Sequence, residues 1–157
     1  MVASPQTLSG SDPPVTGAPL AMRLATLGRA LGEREALHGE GLDRARACVE
    51  ALRVEVAAAL DGFHRAAAAA GAPHLRVDLS PVRIDDKHLR SVEFELSRGR
   101  YRAIVTAKSR GDVTFVGPFR SGKTEGPCKS YPIDARDEVL GALASFLERF
   151  LEEAATP

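Results

Sequence analysis

The sequence predicts one small α+β domain, in which two N-terminal helices and a C-terminal helix pack on one face of a four-stranded antiparallel meander. The periodicity of the apolar residues leads to this prediction. They recur three and four positions apart before residue 71, at every second position from 75 to 115, and again at helical spacing after 134. Helices covering one face of such a sheet form a two-layer α+β architecture.

The first 18 residues differ in composition from the rest of the chain. Residues 1–18 are mostly Ser, Pro, Gly and Thr, with few large apolar side chains. A segment of this kind cannot offset its ordering entropy by burial, so we predict a disordered tail. Residues 19–157 then suit a single domain.

Two helical segments follow the tail. In the first, one face carries a leucine stripe formed by Leu20, Leu24, Leu27 and Leu31. Gly39 and Gly41 predict its end. The second, 42–63, keeps a heptad pattern for three repeats, through Leu42, Ala45, Val49, Leu52, Val56, Ala59 and Phe63. This pattern is typical of a core helix on a sheet or of a coiled-coil seam between two copies, and its shortness favours the core helix.

Four strands are predicted next, near residues 75–84, 92–96, 101–107 and 113–115. We expect a tight turn over residues 97–100, with Gly99 at its second central position. That turn would pair Leu96 with Tyr101 and Glu95 with Arg102, and would leave one face of the hairpin apolar. A wide apolar face after Asp134 predicts the closing helix.

One literal motif lies between the last predicted strand and the closing helix. The signature G-x-x-x-x-G-K-[ST] of phosphate-binding loops is matched by Gly117, Gly122, Lys123 and Thr124. Such a loop works by opening a helix whose N-terminal amides face the phosphates. Here Gly126-Pro127 follows at once and reads as a turn. Predicted hairpins, rather than a parallel sheet, precede it, so we predict that the match arose by chance.

A weaker function for the same stretch stays open. A flexible, basic, amide-rich loop could hold a phosphate or a carboxylate without hydrolysing anything. The candidate anion-binding or partner-binding residues are Gly117, Arg120, Gly122, Lys123, Thr124 and Lys129. The simpler interpretation is a solvated connection between strand and helix.

Composition and charge narrow the remaining functions. The formal net charge is zero, so nothing draws the whole chain to nucleic acid or to an anionic membrane. Between residues 74 and 131, however, twelve Lys and Arg stand against seven Asp and Glu, which keeps nucleic-acid binding by a basic sheet face as a weak alternative. The two cysteines and four histidines show no ligand spacing, so no metal, cofactor or catalytic residue is predicted.

The sequence therefore favours a non-enzymatic protein-interaction module. We expect a cytoplasmic protein, with no membrane partner, that binds another protein or self-associates through helix 42–63 or the outer face of the sheet. Binding of an anion or nucleotide by the loop of residues 117–129 is the main alternative. Nucleic-acid binding is a further one.

Overall fold

The computed structural model describes residues 4–85, 90–122 and 126–156, with side chains from residue 19 onward. It contains helices and an antiparallel sheet, which confirms the predicted α+β class. The chain divides into two compact units, residues 1–38 and 39–157. No helix in the described part of the chain is long and apolar enough to cross a membrane.

Two helices and six strands make up the described structure. The helices are α1, Ser4–Ala69, and α2, Arg136–Ala155. The strands are β1, Asp78–Leu79; β2, Arg83–Asp85; β3, Ser91–Arg98; β4, Tyr101–Lys108; β5, Asp112–Arg120; and β6, Cys128–Pro132.

The sheet has six strands, so the prediction of four was wrong. Its order is β1-β3-β4-β5-β6, and the short strand β2 also pairs with β3. The first predicted strand is divided in two around Pro81, because proline cannot donate a backbone hydrogen bond to the ladder. The additional strand, β6, lies at one edge of the sheet, in a stretch predicted to be irregular.

The central hairpin has the predicted faces but a different register. Arg98 pairs with Tyr101 and Leu96 with Ala103, so the two-residue turn is Gly99-Arg100. Gly99 takes the positive φ of 57° that this turn requires. The partner of each residue is therefore two positions further along the opposite strand than predicted. A shift of two leaves every side chain on its predicted face.

The core of the 39–157 unit lies between the sheet and the helices. On the strands, the inward-facing residues that are at most 3% exposed are Val92, Phe94, Leu96, Ala103, Val105, Ala107, Val113 and Phe115. On α1, the heptad residues Ala45, Val49, Leu52 and Val56 are at most 5% exposed. The interpretation of 42–63 as a core helix is thus confirmed for these residues. The second helix, α2, packs against β5 and β6.

The predicted break between two N-terminal helices was wrong, since α1 runs from Ser4 to Ala69. Neither Gly39 nor Gly41 takes a positive φ, so neither ends the helix. Gly41 instead meets the backbone of Ser109 so closely that a Cβ atom would overlap it. The side chains of residues 1–18 lie outside the description, so the disordered tail stays a prediction.

Candidate functional site

The residues of the phosphate-loop signature lie on a β-hairpin. Gly117 is buried within β5, Arg120 ends that strand, and Gly122 lies in the turn that follows. Strand β6 then pairs antiparallel with β5, and α2 begins only at Arg136. The signature therefore opens no helix in the residues described around it, and its first glycine is part of a sheet.

Gly117 is required by the strand itself. Its φ is 115°, a conformation that L side chains rarely adopt. An added Cβ would lie 3.0 Å from the carbonyl oxygen of Arg102, beside the register shift that interrupts the β4–β5 ladder. The Gly117 N–H donates to the Pro127 carbonyl at 2.8 Å, at the loop end of the β5–β6 hairpin. These constraints explain the glycine without a phosphate.

The exposed end of β5 is organised by neighbouring strands. The guanidinium of Arg120 lies 5.8 Å from the ring centroid of Tyr101, within cation–π range. The Ser121 N–H donates to the Arg100 carbonyl at 2.6 Å, and Arg102 Nε donates to Ser121 Oγ at 2.9 Å. The predicted site residues Lys123 and Thr124 lie outside the described residues, so anion binding by this set stays a prediction.

Two of the predicted residues line a groove between β6 and α2. The groove has a volume of about 630 Å³. Its lining residues are Phe115, Gly117, Pro127, Cys128, Lys129, Tyr131, Glu138, Gly141, Ala142, Ser145, Phe146 and Arg149. We call it the β6–α2 groove. Sequence reasoning found Gly117 and Lys129, but it missed the α2 residues because a helix face gives no sign of which strand it meets.

Aromatic side chains and small residues shape the β6–α2 groove. The ring of Phe115 lies 5.2 Å from that of Phe146 and 5.9 Å from that of Tyr131, measured between centroids. Small residues of α2, among them Gly141 and Ser145, form the opposite wall and leave the space open. The groove therefore combines an apolar floor with polar and charged edges, which is the usual character of a binding pocket.

Apolar grooves also separate α1 from α2 within the 39–157 unit. One, of about 440 Å³, is lined by residues that include Cys48, Leu52 and Val139. Burial raises the pKa of the Cys48 thiol, so this cysteine is a poor nucleophile. Among the described side chains, no group of three His, Cys, Asp or Glu comes together to hold a metal ion.

The outer face of the sheet is crossed by ion pairs. Arg83 contacts Glu93 at 2.7 Å, and Arg102 contacts Glu95 at 2.5 Å. Arg83 also reaches Glu95 at 3.7 Å, which links the two pairs. Two of the twelve basic residues that suggested a basic sheet face, Arg83 and Arg102, are therefore paired with acids, which weakens the case for nucleic-acid binding there.

Comparison with protein-family models, characterised proteins and solved structures gives no match for this chain.

Proposed function

We propose that the protein is a non-enzymatic interaction module that self-associates through the leucine stripe of its N-terminal unit. The supporting observation is the exposure of that stripe. Leu20, Leu24, Leu27 and Leu31 are 57%, 58%, 51% and 48% exposed. Four large apolar side chains on one face of a helix form a contiguous apolar patch, which is typical of an interaction surface.

The heptad residues of helix 42–63, which suggested self-association, are less suited to it. Val49 and Val56 are completely buried in the core of the 39–157 unit. A partner could reach them only by opening that core. The exposed leucines of residues 20–31 offer apolar surface without that cost, and covering each one would contribute on the order of 1 kcal/mol.

A second copy of the chain fits the leucine stripe because the surface is self-complementary. Each leucine is followed directly by a small residue, at Ala21, Ala25, Gly28 and Gly32. At 3.6 residues per turn, these small residues form a groove beside the leucine ridge. In a two-fold symmetric pair, the ridge of each copy can lie in the groove of the other.

The test is the molar mass measured by light scattering after size exclusion, over a range of protein concentrations. We expect a dimer that Leu27→Glu converts to a monomer. The control is Val54→Glu, which places the same charge on an α1 residue that is 68% exposed in the other unit. A wild-type monomer at high concentration, or equal effects of both variants, would rule out the proposal.

A further inference from the structure

The outer edge of β6 carries backbone groups that no described strand uses, because β6 is the last strand of the sheet. Two flanking hydrogen bonds show which residues bond inward to β5. The Gly117 N–H donates to the Pro127 carbonyl at 2.8 Å, and the Ile133 N–H donates to the Gly111 carbonyl at 2.9 Å. In an antiparallel ladder, hydrogen-bonded pairs recur at every second residue.

The same alternation assigns the residues between these two bonds. Lys129 pairs with Phe115 and Tyr131 with Val113, and both pairs fall on the hydrogen-bonded positions. The N–H and C=O groups of Cys128 and Ser130 therefore point away from β5, toward the open edge. Two N–H donors are thus available to a further strand.

The β6–α2 groove runs beside this edge and has a positive end. Lys129, opposite Phe115 in the register, lies on the same face of the sheet as that ring. Phe115 contacts Phe146, and Arg149 follows Phe146 by one helical turn on the groove side of α2. Lys129 and Arg149 therefore flank the same pair of aromatic rings.

The acidic residue of the groove lies far from this end. Glu138 precedes Arg149 by eleven residues on the same helix face, which corresponds to roughly 16 Å along the axis. Over that distance Glu138 does not neutralise Arg149, although Glu152 and Glu153 follow the arginine within about one helical turn. Among the residues that line the groove, the basic side chains and the aromatic floor therefore lie at one end, and the acidic side chain lies toward the other.

We propose that β6 and this groove bind an extended acidic peptide segment as an additional strand of the sheet. The backbone of the peptide pairs with Cys128 and Ser130. One apolar side chain lies against the Phe115–Phe146 floor, and an acidic side chain reaches Lys129 and Arg149. Main-chain pairing at a sheet edge, with side-chain pockets beside it, is a common mode of peptide recognition.

Charge selects this occupant over a second copy of β6. A lysine on an edge strand opposes pairing with an identical edge, because the two lysines repel each other. The same lysine attracts a carboxylate. The site is independent of the leucine stripe, so either proposal can fail without the other.

The experiment measures fluorescence anisotropy of a labelled hexapeptide in which Glu alternates with Phe or Leu. Ser130→Pro removes the outward N–H of residue 130, which β5 does not use, while Ser130→Ala removes only the hydroxyl that contacts Thr114 at 2.8 Å. We expect binding to wild type and Ser130→Ala, and a loss of at least tenfold with Ser130→Pro. Thermal melts establish that each variant is folded.

Charge is tested separately. Lys129→Glu is expected to weaken binding at least tenfold, whereas Arg100→Glu, at an exposed turn residue, leaves it unchanged. Undiminished binding to Ser130→Pro or to Lys129→Glu would overturn the proposal, as would no binding to wild type. The proposal would also fail if acetyl-Glu-Phe-amide bound as tightly as the hexapeptide, because that result indicates a site for a small organic anion. It would fail as well if Ser130→Pro dissociated a dimer, because that result indicates a contact between the β6 strands of two copies.

Discussion

Gly41 of α1 lies directly against the backbone of Ser109 at the turn between β4 and β5, with no space for a side chain. Helices on sheets usually keep side chains between the two backbones. Here the helix approaches the turn so closely that only glycine fits, and Gly41 is buried as a result.

We predict that Gly41→Ala destabilises the protein by about 1 to 3 kcal/mol, the usual cost of overpacking. The measurement is the free energy of unfolding in urea. Gly39→Ala is the control, because a Cβ at residue 39 meets no atom within 4 Å. Alanine there should stabilise the helix by roughly 0.5 to 1 kcal/mol. Equal effects at the two positions would contradict the packing explanation.

His64 should make stability depend on pH. The Val77 N–H donates to Nε2 of His64 at 2.9 Å, so the ring acts as an acceptor and must be neutral there. Desolvation lowers the pKa of His64 below 6.5, the positive charge of Arg76 lowers it further, and Asp61 and Asp78 partly oppose the shift. The unfolded chain then binds this proton more readily than the folded one.

It follows that the contribution of His64 is fully present above pH 6.5 and is lost as the pH falls through the lowered pKa. Urea unfolding at pH 7.5 and at pH 5.5 measures the difference. His64→Gln keeps an acceptor but does not titrate, so it should flatten this part of the pH dependence. An unchanged pH profile in that variant would exclude His64 as the cause.

The ion pair between Arg102 and Glu95 should contribute more than a helical surface pair. Glu95 is only 16% exposed, and Arg102 also donates to Ser121. A double-mutant cycle with Glu95→Gln and Arg102→Gln should give a coupling energy of about 1 kcal/mol. The comparison pair, Asp61 and Arg65, is 64% and 78% exposed and should give about 0.3 to 0.5 kcal/mol. Similar values for both pairs would disagree with this prediction.

Gly28→Ala should affect stability and association in opposite directions. A Cβ at residue 28 meets no atom within 4 Å of the chain itself, so alanine should increase helicity by circular dichroism. In the proposed two-fold symmetric pair, the same methyl group occupies the groove that receives a leucine of the second copy. We expect the dimer to dissociate at several-fold higher concentration. Tighter dimerisation would contradict the close packing.

Periodicity predicted the parts of this fold that bury apolar side chains. The inward faces of β3 and β4 and the core positions of α1 from Ala45 to Val56 follow directly from alternation and heptad spacing. The register of the hairpin did not follow, because a shift by two residues changes every partner and no face. The turn at Gly99-Arg100 decides it, and a glycine can occupy either of its two central positions.

The sequence carries weaker signals for the edge strand β6 and for the close packing of Gly41. Four of the five residues of β6 are exposed, so the strand has no apolar alternation, and Pro127 and Pro132 suggest a loop. Gly41 suggested a helix end, because a glycine required by packing cannot be told from a capping glycine in one sequence. The β6–α2 groove is formed partly by β6, and of its lining residues only Gly117 and Lys129 were predicted as candidate binding residues.

The two glycines of the phosphate-loop signature will tolerate sequence drift very differently. At Gly117, both the backbone conformation and the approach of Arg102 exclude any side chain. At Gly122, with φ of 92° and no atom within 4 Å of an added Cβ, only the backbone conformation restricts substitution, and asparagine is the residue best able to follow. Neutral substitution in related chains should therefore erase the signature at residue 122 while residue 117 remains glycine.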